Sequence, residues 1–151
     1  MIQEIRISTP EDLMPLLSEQ EYRPELGRNR SSYLYRGMPD TSYRMVTSLS
    51  RNCKGLQKTL EPAILNNFAK YAVREDPSIA ESVWHLMITG QHNGLPTRLL
   101  DWTHSSLVAL NFATIEDDFG KLDKRDCAVW RIDVRELNKY LPQKYKDALD
   151  A

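Results

Sequence analysis

The stretch from Gln91 to Trp102 constrains the fold most, because it combines polar and charged residues with two helix breakers, Gly94 and Pro96. The residues that follow, from Ser105 to Ile115, are mostly apolar and predict a helix that is buried on most of its sides. Polar loops that are held by a rigid scaffold commonly carry binding sites. We therefore expect residues 91–102 to form one wall of a ligand site.

A short predicted strand, Tyr33 to Gly37, supplies the expected second wall of this site. Its two tyrosines and its leucine favour extended backbone. Alternation places Arg36 on the same face as Leu34, so Arg36 is expected to be partly buried and to need an anionic partner. Gly37 allows another segment of the chain, or a ligand, to approach the backbone closely.

Periodicity and capping residues predict the remaining elements. Helices are expected after Thr9, after Thr59, from Asp76-Pro77 to Gly90, and from Arg135 to Leu141. Extended segments are expected at Ile2 to Ile7, Arg44 to Leu49, Leu99 to Leu100 and Cys127 to Val134, and a charged loop at Glu116 to Arg125. The sequence thus predicts an α+β fold with a small, mostly antiparallel sheet flanked by helices, in a single domain over residues 1–151.

Composition restricts the class of protein. The chain has 151 residues, 41% of them hydrophobic and 27% charged, and a net charge of -1, which is ordinary for one soluble domain. No apolar run is long enough to span a membrane, and the first residues do not form a signal peptide, so a cytoplasmic location is expected. The two cysteines lack metal-ligand spacing, so no metal site is expected.

Positive charge is concentrated between Glu21 and Lys58. This segment holds eight cationic and three acidic residues, a net charge of +5. A local basic face suits a phosphate-bearing ligand or a nucleic acid. A solvated surface that is balanced by acids elsewhere is the alternative interpretation.

Three arginines are the candidates for binding an anion: Arg36, Arg51 and Arg98. A guanidinium presents a rigid fork of donors that matches phosphate or carboxylate. The structural alternative is an internal ion pair, for instance of Arg36 or Arg98 with Asp101. Ser48 and Thr97 are candidates for hydrogen bonds to the same ligand.

His92 and Asp101 are the catalytic candidates. His92 could act as an acid or base, with His104 competing for that role. Asp101 could orient His92 or Arg98, or it could cap the helix that follows. Trp102 could stack on a flat ligand or pack in the core.

Four segments together resemble the FRG domain, which is named for a Phe-Arg-Gly motif. They are Tyr35-Arg36-Gly37, Thr47 to Arg51, Gln91 to Thr103 and Val108 to Ala113. The first has tyrosine in place of phenylalanine, and the similarity covers a core of about residues 32–134. The resemblance implies a domain found in bacteria and phages, and so a defence-type role.

The strand Tyr35-Arg36-Gly37 and the segment Val108 to Ala113 are also similar to the first half of the ADP-ribosyltransferase fold. That resemblance implies an NAD site that places Arg36 near the cofactor, with the segment before Leu107 lining the pocket. Tyr35 and Gly37, the neighbours of Arg36, are further ligand-binding candidates, and NAD is a possible but not a required cofactor. The late catalytic glutamate of that fold has no counterpart here, which leaves open whether the chain is an enzyme. The alternatives are a non-catalytic module for a nucleic acid or a protein partner, and a purely structural polar network.

Overall fold

The computed structural model describes residues 2–24, 27–115 and 124–149. In chain order its elements are α1 (Pro10–Leu17), β1 (Glu21–Arg23), β2 (Arg28–Arg30), β3 (Tyr33–Met38), α2 (Ser48–Cys53), α3 (Gln57–Glu75), a 3-10 helix (Pro77–Glu81), α4 (Val83–His92), α5 (Ser106–Thr114), β4 (Ala128–Asp133), α6 (Val134–Tyr140) and α7 (Gln143–Leu149). They form two compact units. The sheet unit comprises Met1–Tyr43 and Trp102–Ala151, and the helical unit comprises Arg44–Asp101. A single domain over residues 1–151 stays a prediction.

The sheet unit is built around β3. This strand pairs with β4 in antiparallel register, with Tyr33 opposite Asp133 and Met38 opposite Ala128. On its other edge the Tyr35 N–H donates to the Thr103 carbonyl at 2.7 Å, and the Thr103 N–H donates to the Tyr35 carbonyl at 2.9 Å. The α+β class with a small antiparallel sheet is therefore confirmed, as are the strands predicted at Tyr33 to Gly37 and at the Cys127 segment.

Helix α5 packs against β3 at Gly37. A β-carbon added to Gly37 would lie 1.9 Å from the Ala109 carbonyl oxygen and 2.5 Å from the Ala113 nitrogen. Ala109 and Ala113 are fully buried at this contact. The close approach expected at Gly37 is thus the approach of a helix backbone.

The prediction that α5 is buried on most sides is wrong. Leu107 and Phe112 are 61% and 56% exposed, and Val108 is exposed as well. The helix contacts the sheet through its two alanines, because only small side chains fit where the two backbones come so close. Its large apolar side chains therefore lie outside that contact.

Helix α1 begins as predicted. The Thr9 hydroxyl accepts from the Asp12 N–H, and the Asp12 carboxylate accepts from the Thr9 N–H, which is a capping box. The predicted helix at Arg135 corresponds to α6, and the chain continues into α7. Of the two alternatives predicted for Ile2 to Ile7, a short strand or an extended start, the described residues show no strand. Most of the predicted charged loop, residues 116–123, lies outside the described residues.

Several predictions in the helical unit need correction. The extended segment predicted at Arg44 to Leu49 ends at Thr47, because the Thr47 hydroxyl caps α2 by accepting from the Ser50 N–H, and Ser48 and Leu49 are helical. Leu99 to Leu100 is not a strand in the described structure. Gly90 does not end α4: it is buried inside the helix, against Leu95, where a larger residue would have little room.

Helix starts in this unit also differ from those predicted. Helix α3 begins at Gln57, two residues before Thr59. Asp76 caps the 3-10 helix instead of a long α-helix, and Ser82 then caps α4 through the His85 N–H. The core of the unit includes Leu49, Leu65, Ile79 and Met87. No helix of the described residues is long and apolar enough to cross a membrane.

Candidate functional site

A cavity of about 300 Å³ opens in the sheet unit between β2 and the start of α5. One wall comes from the end of α1 and the hairpin, and the other from the turn into α5. The lining residues are Leu17, Gln20, Asn29, Arg30, Ser31, Thr103, His104, Ser105, Ser106 and Leu107. No carboxylate is among these described lining residues, so the fixed charge at the wall is that of a cation.

The hairpin wall carries that cation. Strands β1 and β2 are antiparallel, with Glu21 opposite Arg30. Asn29 and Arg30 are exposed at the end of β2, and Ser31 is half-buried beside them. The Arg30 guanidinium offers several donors to an anion in a fixed fork geometry.

The opposite wall is the turn that leads into α5. The bridge to Tyr35 fixes Thr103, whose hydroxyl accepts from the Ser105 N–H at 3.1 Å. Ser105 caps α5 by accepting from the Val108 N–H at 3.3 Å. His104 is exposed between these two residues. The amino end of α5, with its partial positive charge, therefore lies at the cavity.

Two further contacts hold the walls. The Ser106 hydroxyl donates to the Leu17 carbonyl at 3.3 Å, which joins the start of α5 to the end of α1. Arg131 forms an ion pair with Glu19, and its guanidinium lies 4.4 Å from the centroid of the Tyr33 ring. Burial and the nearby Glu19 charge raise the pKa of Tyr33 above its ordinary value of 10.0, against the opposing effect of Arg131. The contacts of Glu19 hold the segment that carries Gln20 against the sheet.

The structure divides the predicted site residues between the two units. The sheet unit holds four of them: Tyr35, Arg36, Gly37 and Trp102. The helical unit holds the other six: Ser48, Arg51, His92, Thr97, Arg98 and Asp101. None of the ten lines the cavity.

Arg98 is engaged in an ion pair with Glu61. The Arg98 Nε–H donates to Glu61 Oε1 at 2.6 Å, and Nη2 donates to Oε2 in a second hydrogen bond. The side chain of Glu61 is 5% exposed, whereas that of Arg98 is 62% exposed. Arg98 thus forms an internal ion pair, as the structural interpretation expected, but with Glu61, a partner that sequence reasoning missed. One signal could have revealed it, since Glu61 lies one helical turn before the buried Leu65.

Thr97 is a structural residue of its loop and is only 1% exposed. Its N–H donates to Ser48 Oγ at 3.2 Å, and its carbonyl accepts from the Leu49 N–H at 3.1 Å. Its hydroxyl donates to Gln91 Oε1, and Gln91 Nε2 donates to Asp101 Oδ1. These bonds explain the polar composition of residues 91–102, because they shape the loop and attach it to the start of α2.

The other predicted site residues lie in the following settings. Arg51 donates to the Val46 carbonyl at 3.0 Å. His92 is exposed at the last position of α4, and Arg36 is half-buried opposite Trp130. Trp102 is half-buried. Their ligand-binding or catalytic roles stay predictions.

The described residues contain no group of three or more His, Cys, Asp or Glu side chains that could hold a metal ion. Cys53 is buried in the helical unit and Cys127 is exposed in the sheet unit.

Comparison with known proteins identifies the family. Residues 31–121 match the model of the FRG domain. No curated protein and no solved structure matches the chain. The resemblance to the ADP-ribosyltransferase fold gains no support from these comparisons. Because the matched residues make up more than half of its length, the chain belongs to the FRG domain family.

Proposed function

We propose that this FRG domain binds a phosphate-bearing ligand of the nucleotide class in the cavity between β2 and the start of α5. One observation carries the proposal: Arg30, His104 and the amino end of α5 line the same cavity, and no carboxylate lines it among the described residues. A fixed cation, a helix amino end and neutral donors together favour an anion.

The size of the cavity and its hydrogen-bonding side chains fit this class of ligand. About 300 Å³ lies at the lower end of the range for small-molecule sites. A cavity of this size would accommodate a phosphate or pyrophosphate with part of the attached sugar. Asn29, Ser31 and Ser106 add hydrogen-bonding groups along the walls. NAD, ADP-ribose and ATP all belong to the class.

This location differs from the one expected from sequence. An arginine-lined pocket was predicted around Arg36 and Arg98, and the guanidinium of Arg98 is bound to Glu61. Arg30 belongs to the same basic segment and lines a cavity. The proposal therefore keeps the predicted class of ligand and assigns its phosphate to a different arginine.

A thermal-shift panel tests the proposal. NAD, ADP-ribose and ATP would be compared with inorganic phosphate at millimolar concentration. A ligand present at one hundred times its Kd adds about 2.7 kcal/mol to the free energy of unfolding. For a chain of this length that is a rise of about 5 to 10 °C in Tm. No shift with any of the three nucleotides contradicts the proposal.

Two arginine variants locate the bound phosphate. Arg30→Ala should remove most of the Tm shift, because it deletes the cation at the cavity wall. Arg28→Ala is the matched control: it lies in the same strand and removes the same charge, and Arg28 is outside the lining. Equal loss in both variants would indicate diffuse attraction to a basic surface instead of a defined site.

A second candidate function, nucleic-acid binding, is favoured by the exposure of both Arg28 and Arg30 on β2. Binding of a short oligonucleotide that weakens steeply with salt, and equally in the two variants, would support it. Absent or salt-insensitive binding would remove it.

A further inference from the structure

Tyr35 contacts both walls of the cavity without lining it. The side chain is only 3% exposed. Its Oη lies 3.0 Å from the Oγ of Ser31, which lines the hairpin wall. Its backbone exchanges two hydrogen bonds with Thr103, which lines the opposite wall. Tyr35 therefore joins the two walls, because it is hydrogen-bonded to one lining residue of each.

The hydrogen bonds around Ser31 decide where its proton points. A serine hydroxyl has one proton and two acceptor lone pairs. The Tyr33 N–H donates to Ser31 Oγ at 3.1 Å and so occupies one lone pair. Either hydroxyl can donate in the pair with Tyr35; because a phenol is a stronger acid than an alkyl alcohol, donation by Tyr35 is favoured, and it occupies the second lone pair. The Ser31 proton then remains for an acceptor in the cavity.

We propose that Tyr35 is a positioning residue for the cavity, and that its buried hydroxyl makes Ser31 a donor towards bound ligand. This rests on the proposed function. With both lone pairs occupied, Ser31 selects ligand atoms that accept hydrogen bonds, such as phosphate oxygens. It disfavours ligand groups that only donate, such as ammonium. The buried tyrosine thus contributes to specificity for anions without touching them.

A double-mutant cycle on ADP-ribose affinity tests the proposal. Tyr35→Phe should weaken binding about 5- to 10-fold, the size expected for one reorganised hydrogen bond. Ser31→Ala should weaken it by a similar factor. The double variant should bind no more weakly than Ser31→Ala alone, because Tyr35 acts through the hydroxyl that this variant lacks.

Further readouts separate positioning from a structural role. Tyr43→Phe is the control, since it deletes an exposed tyrosine hydroxyl from the same unit and Tyr43 is outside the cavity lining. It should leave the affinity unchanged. If Tyr35→Phe and Ser31→Ala weaken binding independently, so that their factors multiply, Tyr35 has only a structural role and the proposal is overturned.

Failure of this inference is distinguishable from failure of the proposed function. If wild-type protein binds ADP-ribose and Arg30→Ala abolishes binding, unchanged affinity in Tyr35→Phe overturns the inference alone. If wild-type protein binds no nucleotide, both are overturned. Should Tyr35→Phe fail to fold, Ser31→Ala decides, because it leaves the buried strand intact; unchanged affinity there overturns the inference.

Discussion

The contact between Gly37 and α5 makes the sharpest prediction about the fold. Replacing Gly37 with alanine adds a single methyl group at a point where two backbones touch. The new β-carbon would lie 1.9 Å from the Ala109 carbonyl oxygen and 2.5 Å from the Ala113 nitrogen. Both atoms belong to the helix backbone, so no flexible side chain can yield.

The magnitude follows from those distances. Ordinary van der Waals contact begins at 3.4 Å, so α5 must retreat from β3 by about 1.5 Å. Overpacking of a tight contact costs about 1 to 3 kcal/mol, and a backbone neighbour places this case at the upper end. We therefore expect Gly37→Ala to lower the free energy of unfolding by about 3 kcal/mol.

Tryptophan fluorescence during urea unfolding measures this effect. Because the chain forms two compact units, their transitions can separate. Trp102 and Trp130 lie in the sheet unit, and Trp84 lies exposed in the helical unit. A Trp84→Phe background would therefore report on the sheet unit, where Gly37→Ala should act.

Gly90→Ala is the matched control, since Gly90 is also buried. Its added β-carbon would lie 2.9 Å from the flexible end of the Leu95 side chain, which can move. Alanine also gains about 1 kcal/mol over glycine inside a helix, which offsets the crowding. Gly90→Ala should therefore change stability little. If Gly37→Ala lowers the free energy of unfolding by less than about 0.5 kcal/mol, the close contact at Gly37 does not have the predicted cost, because a loss of that size is ordinary for a surface substitution.

The other predictions concern charged groups. Arg98→Ala should lower the free energy of unfolding by about 3 kcal/mol, because it leaves the buried Glu61 carboxylate unpaired. Glu61→Gln should lower it less, because the arginine that it leaves is already largely exposed. Urea unfolding of both variants measures the difference, and equal losses would contradict the prediction. Hydrogen bonds from the Ser8 N–H and from Thr9 hold the pKa of Asp12 below its ordinary value of 3.8. The ionised Asp12 carboxylate therefore stabilises α1 above pH 3.8, and this stabilisation is lost as the pH falls through the lowered pKa. A carboxyl NMR titration that gives Asp12 a pKa at or above 3.8 would contradict this prediction.

Local signals predicted the parts of the fold that depend on neighbours in sequence. The cap at Thr9 and the alternation in the Cys127 segment each involve a few consecutive residues, and both elements formed as expected. The exposure of α5 could not be predicted in this way. Composition shows that a helix is apolar, but its burial depends on a contact with Gly37, which lies far away in the chain.

The candidate site shows the same limit. The loop predicted at 91–102 begins only after His92, because Gln91 and His92 are the last residues of α4, and the bonds that occupy Thr97 and Arg98 come from α2 and α3. Arg30 had no motif around it, and only the fold brings it to the start of α5. The position of the proposed site therefore could not be predicted from sequence, and the class of ligand stays a prediction.

A titration of ¹⁵N-labelled protein with ADP-ribose, followed by amide NMR shifts, shows whether the cavity at Arg30 binds this ligand. The largest shifts should occur at Ser31 and at residues 103–107, and they should disappear in Arg30→Ala while persisting in Arg28→Ala. Shifts centred instead on His92 and Arg98, or no shifts at millimolar ligand, would contradict this prediction.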